Sequence, residues 1–197
     1  MTLPAFPRRA WLAACLAAVL FAATLLLALW LVPGWQPLAH PLAVLGYLPG
    51  VTGWALAGGS FVLPGLLAGL ALYWRPQPDS RLGRVAGQLG AMAVAGFVLM
   101  GLLPLPLSPA DGAGRGHAVA WMLWLAAAGA AMVVDGLARV QASRPVAGVA
   151  GMACGALLWG LCLTPWLPLP GPLAQLLAWG IWLGWGIAVA RQAAPLR

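Results

Sequence analysis

Charge is what this chain lacks most. Only 7% of its 197 residues are charged, against 63% hydrophobic, and it contains ten Arg and three Asp with no Lys and no Glu. A water-facing domain carries charge on roughly a quarter of its residues, so a soluble globular fold is excluded and the relevant solvent is lipid. Histidine is scarce too. His40 and His117 are the only two, which rules out the four-histidine di-haem bundle of membrane cytochromes. Cys15, Cys154 and Cys162 all fall inside apolar runs and are too scattered to build a disulfide framework. Cys154 and Cys162, eight apart with no His between them, make no metal motif, and none is predicted elsewhere. Intramembrane acids mark pumps and ion-coupled transporters. Asp135 is the only acid in a predicted span, so that class is disfavoured. The chain also has no nucleophile–base pattern and no phosphate-binding loop.

What is present is a set of long apolar runs. Six are about 20 residues long, the length that crosses a bilayer as a helix: 10–32, 54–74, 85–105, 117–137, 146–165 and 173–190. Pro, Gly and Arg clusters bound them. A backbone in lipid must satisfy its own hydrogen bonds, and the period-2 alternation of a membrane barrel is missing. The expectation is a single all-α transmembrane domain of six helices in a bundle, arranged as three hairpins. Leu12-Ala13-Ala14-Cys15 matches a lipoprotein cleavage box, but too few residues separate Arg9 from Cys15 for a signal's apolar region. The first run is therefore read as an uncleaved helix.

The arginines are sorted. Arg8 and Arg9 precede the first run, Arg75, Arg81 and Arg84 separate the second from the third, Arg139 and Arg144 separate the fourth from the fifth, and Arg191 and Arg197 follow the sixth. Arg115 alone lies on the other side. Short Arg-rich loops stay in the cytoplasm, which puts both termini there. The net charge of +7 then reflects topology and attraction to anionic lipid, with no nucleic-acid partner implied. Trp30, Trp35, Trp54, Trp121, Trp124 and Trp166 gather near the outer boundary as an aromatic belt, and Trp11 and Trp74 near the inner one.

Small residues four apart let membrane helices approach closely. Gly65/Gly69, Gly151/Gly155 and Gly180/Gly184 are such pairs, suited to packing within the bundle or to a dimer face. Pro64 should kink the second helix and free a carbonyl near Ser60. Asp135 and Arg139 are spaced for an ion pair at the inner interface, whereas Asp79, between Arg75 and Arg81, should be solvated.

The remaining polar chemistry collects on the outer face: His40, Tyr47, Asp111, Arg115, His117 and Gln175, contributed by all three hairpins. Either outer loops are merely wet, or these groups converge. If they converge, His117 is the candidate acid/base, Asp111 its orienting partner and Arg115 an anion contact. Trp179, Trp182 and Trp185 share one broad face of the sixth helix. They suit a protein partner, a flat ligand such as a quinone or pigment, or the acyl chains of lipid.

The stretches "HPLAVLGYLPGVTGWALAGGSFVLPGLLAGLALYW", "GLLPLPLSPADGAGRGHAVAWMLW" and "LPLPGPLAQLLAWGIWLGW" resemble an uncharacterised group of six-helix prokaryotic membrane proteins, the domain-of-unknown-function family numbered 998. The resemblance covers about residues 35–190 and rests on Phe61, Leu63, Pro64 and Gly65, on Pro109 and Asp111, and on His117 opening the fourth helix. Members with an Arg after the Gln that starts helix six differ from this chain, where Leu176 follows Gln175. The resemblance implies the architecture and carries no activity.

Two functional expectations follow. The first is a non-catalytic accessory or assembly subunit of a bacterial inner membrane, packed against lipids or other membrane proteins, with no cofactor beyond a bound lipid, quinone or pigment. The second is an outer-leaflet protein or enzyme acting on a lipid or isoprenoid head group through His117, Asp111 and Arg115.

Overall fold

The computed structural model describes residues 5–75, 80–106, 114–164 and 168–192. Six helices among them are long and apolar enough to cross a membrane. They are α1 (Ala5–Leu31), α2 (Val51–Trp74), α3 (Arg81–Leu102), α4 (Arg115–Gln141), α5 (Pro145–Leu163) and α6 (Gly171–Gln192). No strand occurs among the described residues. The boundaries follow local chemistry. The Ser80 hydroxyl accepts from the Gly83 N–H at 3.0 Å and caps α3. Pro145 opens α5, where its missing N–H costs nothing.

The helices form a ring of neighbours: each packs on the next, and α6 closes the ring against α1. At one end, the Leu103 carbonyl after α3 meets His117 at the start of α4, and the Leu105 N–H donates to Ala43. At the other end, Arg75 meets Asp135, and Gly136 meets Gly148. Arg8, Arg9, Arg75, Arg81, Arg84, Arg139, Arg144 and Arg191 belong to this second, arginine-rich end, and Arg115 to the first, the loop end.

The middle of the ring is aromatic. Phe97 of α3 stands 4.8 Å from Trp182 of α6, and Phe61 of α2 stands 5.1 Å edge-on to Trp179. Phe21 and Trp124 join from α1 and α4. Such tilted and edge contacts are the favoured geometry of aromatic rings. Where rings leave no room, glycine lets backbones touch. A Cβ on Gly96 would lie 2.8 Å from the Trp124 nitrogen. Gly129 lies directly under the Trp159 indole, whose N–H reaches across α4 to donate to the Leu125 carbonyl at 3.0 Å.

Two features depart from the sequence expectation. The segment 33–53, read as an open outer loop, contains a 3₁₀ helix, Leu42–Tyr47, whose Leu42, Ala43, Val44 and Leu45 are buried against the bundle. Its apolar run is too short to span a membrane, so it folds back as a cover on the loop end. Gly50, at φ 73°, occupies the left-handed region that favours glycine and turns the chain into α2. The second feature lies within α2. The disturbance expected at Pro64 takes the form of a π-helical turn over Gly58–Val62. A proline ring clashes with the carbonyl four residues earlier, here that of Ser60, and the widened turn relieves that clash. The Ser60 hydroxyl is left buried without a partner.

Candidate functional site

The polar groups expected on the outer face do not assemble among the described residues. His117 is 7% exposed, turned into the bundle from the first turn of α4. Its Nδ1 lies 2.8 Å from the Leu103 carbonyl oxygen. A carbonyl can only accept, so the proton sits on Nδ1 and this edge of the ring is spent on tying α3 to α4. His40, Tyr47 and Arg115 are exposed and Gln175 is half-buried. No hydrogen bond links any of them to His117 or to one another among the described residues. Asp111, the orienting partner in the acid/base reading, lies outside the described residues, as do Trp166 and Asp79. The described residues hold no cluster of His, Cys, Asp or Glu that could bind a metal ion.

The buried charge lies at the opposite end. Asp135 is 1% exposed. Its Oδ2 accepts from Nε of Arg139 at 2.6 Å, the expected pair one helical turn apart. A second cation joins it: Nη2 of Arg75, just beyond α2, lies 3.2 Å from Oδ1. Arg75 is itself only 6% exposed. One carboxylate thus serves two guanidiniums and pins the end of α2 to α4. In the sequence Arg75 is one of the three arginines between the second and third runs, with nothing to mark it for burial. Composition cannot distinguish an arginine in water from one drawn under the bundle rim, and only the isolation of the buried Asp135 hints at the second.

Beside this ion cluster runs an apolar cleft of about 60 Å³, walled by α1, α2, α3 and α6. Ala14, Ala71, Gly90 and Gly186 are among its walls, Trp182 and Trp185 stand in it, and Arg75 borders it. Nε of Arg75 is buried and has no hydrogen-bond partner.

The tryptophans of α6 share one face, as their spacing requires, but that face points inward. Trp179 and Trp182 are 1% and 5% exposed and belong to the aromatic core, while Trp185 is half-buried. Rings from α1, α2, α3 and α4 cover two of the three, Trp179 and Trp182. Gly180 and Trp182 are two residues apart, close to opposite sides of a helix with 3.6 residues per turn. Burying the tryptophans therefore turns the glycines outward. Gly180 and Gly184 are exposed, and a Cβ on either would meet nothing within 4 Å. Leu177 and Ala188 continue the same exposed stripe.

The pairs Gly65/Gly69 and Gly151/Gly155 are occupied. A Cβ on Gly65 would lie 2.7 Å from Val98, and one on Gly69 3.2 Å from Val94, both on α3. One on Gly155 would lie 2.7 Å from the Gly129 carbonyl, and one on Gly151 3.3 Å from that of Met132, both on α4.

Comparison with known proteins adds a family and no activity. No curated protein and no solved structure matches the chain. The family described as "Protein of unknown function (DUF998)" matches residues 15–192. With nearly the whole chain matched and six apolar helices in place, this membrane protein belongs to the DUF998 family.

Proposed function

We propose that the protein is a non-catalytic subunit of a bacterial inner membrane that associates with other membrane proteins through the outward face of α6. The observation that carries this reading is the bare Gly180/Gly184 seam in a bundle whose Gly65/Gly69 and Gly151/Gly155 pairs are filled. In lipid, helices associate through close backbone approach at small residues. A seam of this kind left open inside one chain is suited to a helix from another. The burial of His117 against Leu103 weighs on the same side, because it commits one edge of the best acid/base candidate to structure. On this reading the arginine-rich end and both termini face the cytoplasm, following the asymmetry of arginine between the two ends.

Cysteine cross-linking in native membranes tests it. In a background with Cys15, Cys154 and Cys162 replaced by alanine, Gly184→Cys should give a cross-linked species of higher mass. Leu26→Cys, on an exposed face of α1, should give little. Equal yields from the two positions would defeat the proposal. A product of twice the chain mass would replace the accessory subunit by a homo-oligomer.

A further inference from the structure

The cleft at the arginine-rich end is separate from the α6 seam and goes beyond the association reading. Its lining residues on α6, Trp182, Trp185, Gly186 and Val189, lie on the inward side of that helix. Three of its properties bear on what it would hold. The walls are apolar and half of the lining is small, with Ala14, Ala17, Ala68 and Ala71 from α1 and α2 and Gly90 and Gly186 from α3 and α6. The lining is also elongated: on α6 it runs from Trp182 to Ala190, roughly 12 Å at 1.5 Å per residue. A lining of that length suits one polymethylene chain laid along the helix. Finally, the cleft is unsealed, since Leu72, Val94, Trp185 and Gly186 on its lining are only half-buried.

Its single charged neighbour supplies the chemistry of the other end. Arg75 is 94% buried by its 6% exposure, it borders the cleft, and its Nε–H has no acceptor. A buried guanidinium N–H without an acceptor is a costly vacancy. Nη2 is held by Asp135, which Arg139 also holds, and Nε makes no hydrogen bond to that carboxylate. Phosphate and carboxylate oxygens are the ligands that a guanidinium fork matches. Arg75 directly follows α2 at Trp74, where the apolar span ends and a lipid head group would lie.

We infer that this cleft binds one acyl chain of an anionic phospholipid, with the phosphodiester accepting from Nε of Arg75 and the second chain remaining in the bilayer. The small-residue walls admit the chain, and the aromatic core at Trp182 limits its depth. A phospholipid is favoured over a free fatty acid because the half-open side leaves room for a second chain and because the cation stands at head-group level.

Brominated lipids test this, because bromine on an acyl chain quenches nearby tryptophan. The full chain is reconstituted in phosphatidylcholine vesicles with increasing amounts of chain-brominated phosphatidylglycerol, chain-brominated phosphatidylcholine or brominated palmitate. Tryptophans facing bulk lipid, such as Trp30 and Trp54, respond equally to the two brominated phospholipids. The cleft adds a saturable component for phosphatidylglycerol alone. Arg75→Gln should weaken that component about tenfold or more, the scale of losing one charge-assisted contact. Because Arg75→Gln also disturbs the ion cluster, Gly186→Leu provides the independent variant: a Cβ there meets nothing within 4 Å, and the larger side chain fills the cleft without touching the charges. It should abolish the saturable component while leaving bulk quenching intact. Equal quenching by the two phospholipids, or a phosphatidylglycerol excess that survives Gly186→Leu, would overturn the inference. Saturable quenching by brominated palmitate with none by phosphatidylglycerol would overturn it in favour of a free fatty acid. The Gly184 cross-link is unaffected by any of these outcomes, so the two proposals fail separately.

Discussion

Gly151/Gly155 on α5 and Gly180/Gly184 on α6 have the same spacing in neighbouring helices of similar composition, yet they meet opposite fates. The first pair is pressed onto the backbone of α4, close enough that a methyl on Gly155 would lie 2.7 Å from a carbonyl oxygen. The second faces outward with nothing within 4 Å. What separates them is the bulk on the other side of each helix. On α6 the inward face is taken by Trp179 and Trp182, which fill the centre of the ring. On α5 the large side chain is Trp159, which lies across Gly129 and bonds to Leu125 instead of pushing the helix away. A glycine pair is thus a permission for close approach, and the placement of the large residues decides whether the approach happens within the chain or outside it.

The comparison can be broken in graded steps. The α5 seam packs on α4, and Asp135 ties α4 to the end of α2. Asp135→Ala leaves Arg75 and Arg139 without their shared carboxylate and should cost about 3–5 kcal/mol, read as a large drop in denaturation midpoint in mild detergent or as failure to accumulate. Gly155→Ala drives a methyl into the Gly129 carbonyl and should cost about 1–3 kcal/mol by the same measurement, the range for overpacking. Gly151→Ala meets the Met132 carbonyl at 3.3 Å and the Gly136 backbone at the ordinary contact distances of 3.5 and 3.7 Å. The strain is partly offset by alanine's better helix propensity, so the change should stay within about 1 kcal/mol of zero. Gly184→Ala has no clash to offset, and the isolated chain should be unchanged or more stable by up to about 1 kcal/mol. A Gly184→Ala variant as damaging as Gly155→Ala would mean that the two seams do not differ in the isolated chain.

Much of the fold was legible because lipid leaves the backbone few choices. Six apolar runs of spanning length became six helices, with ends displaced by a few residues where Ser80 and Pro145 set the start. The Asp135–Arg139 pair followed from spacing alone. Other features were hidden for identifiable reasons. Helical period places Trp179, Trp182 and Trp185 on one face but does not say whether that face points to the ring or to lipid, since both are apolar. Leu42–Tyr47 is a short apolar run between prolines, and only its burial against Ala57 and Pro104 distinguishes it from an ordinary loop. Arg75 has the same local sequence signature as an exposed arginine, and its burial depends on a contact with a residue 60 positions away. The polar residues of the loop end were the least readable, because most come from loops, where sequence patterns carry little positional information.

The most direct test of the central claim, that the chain meets its partner through the bare seam of α6, is the mass of the species released from native membranes by mild detergent. Wild-type protein and the Gly180→Leu/Gly184→Leu double variant would be isolated in parallel, and co-migrating chains identified by mass spectrometry. The expected result is a wild-type complex containing another membrane protein, and a double variant of undiminished denaturation midpoint that runs alone. A wild-type chain that itself runs as a monomer with no co-migrating protein, or a complex that survives both leucines, would contradict the claim.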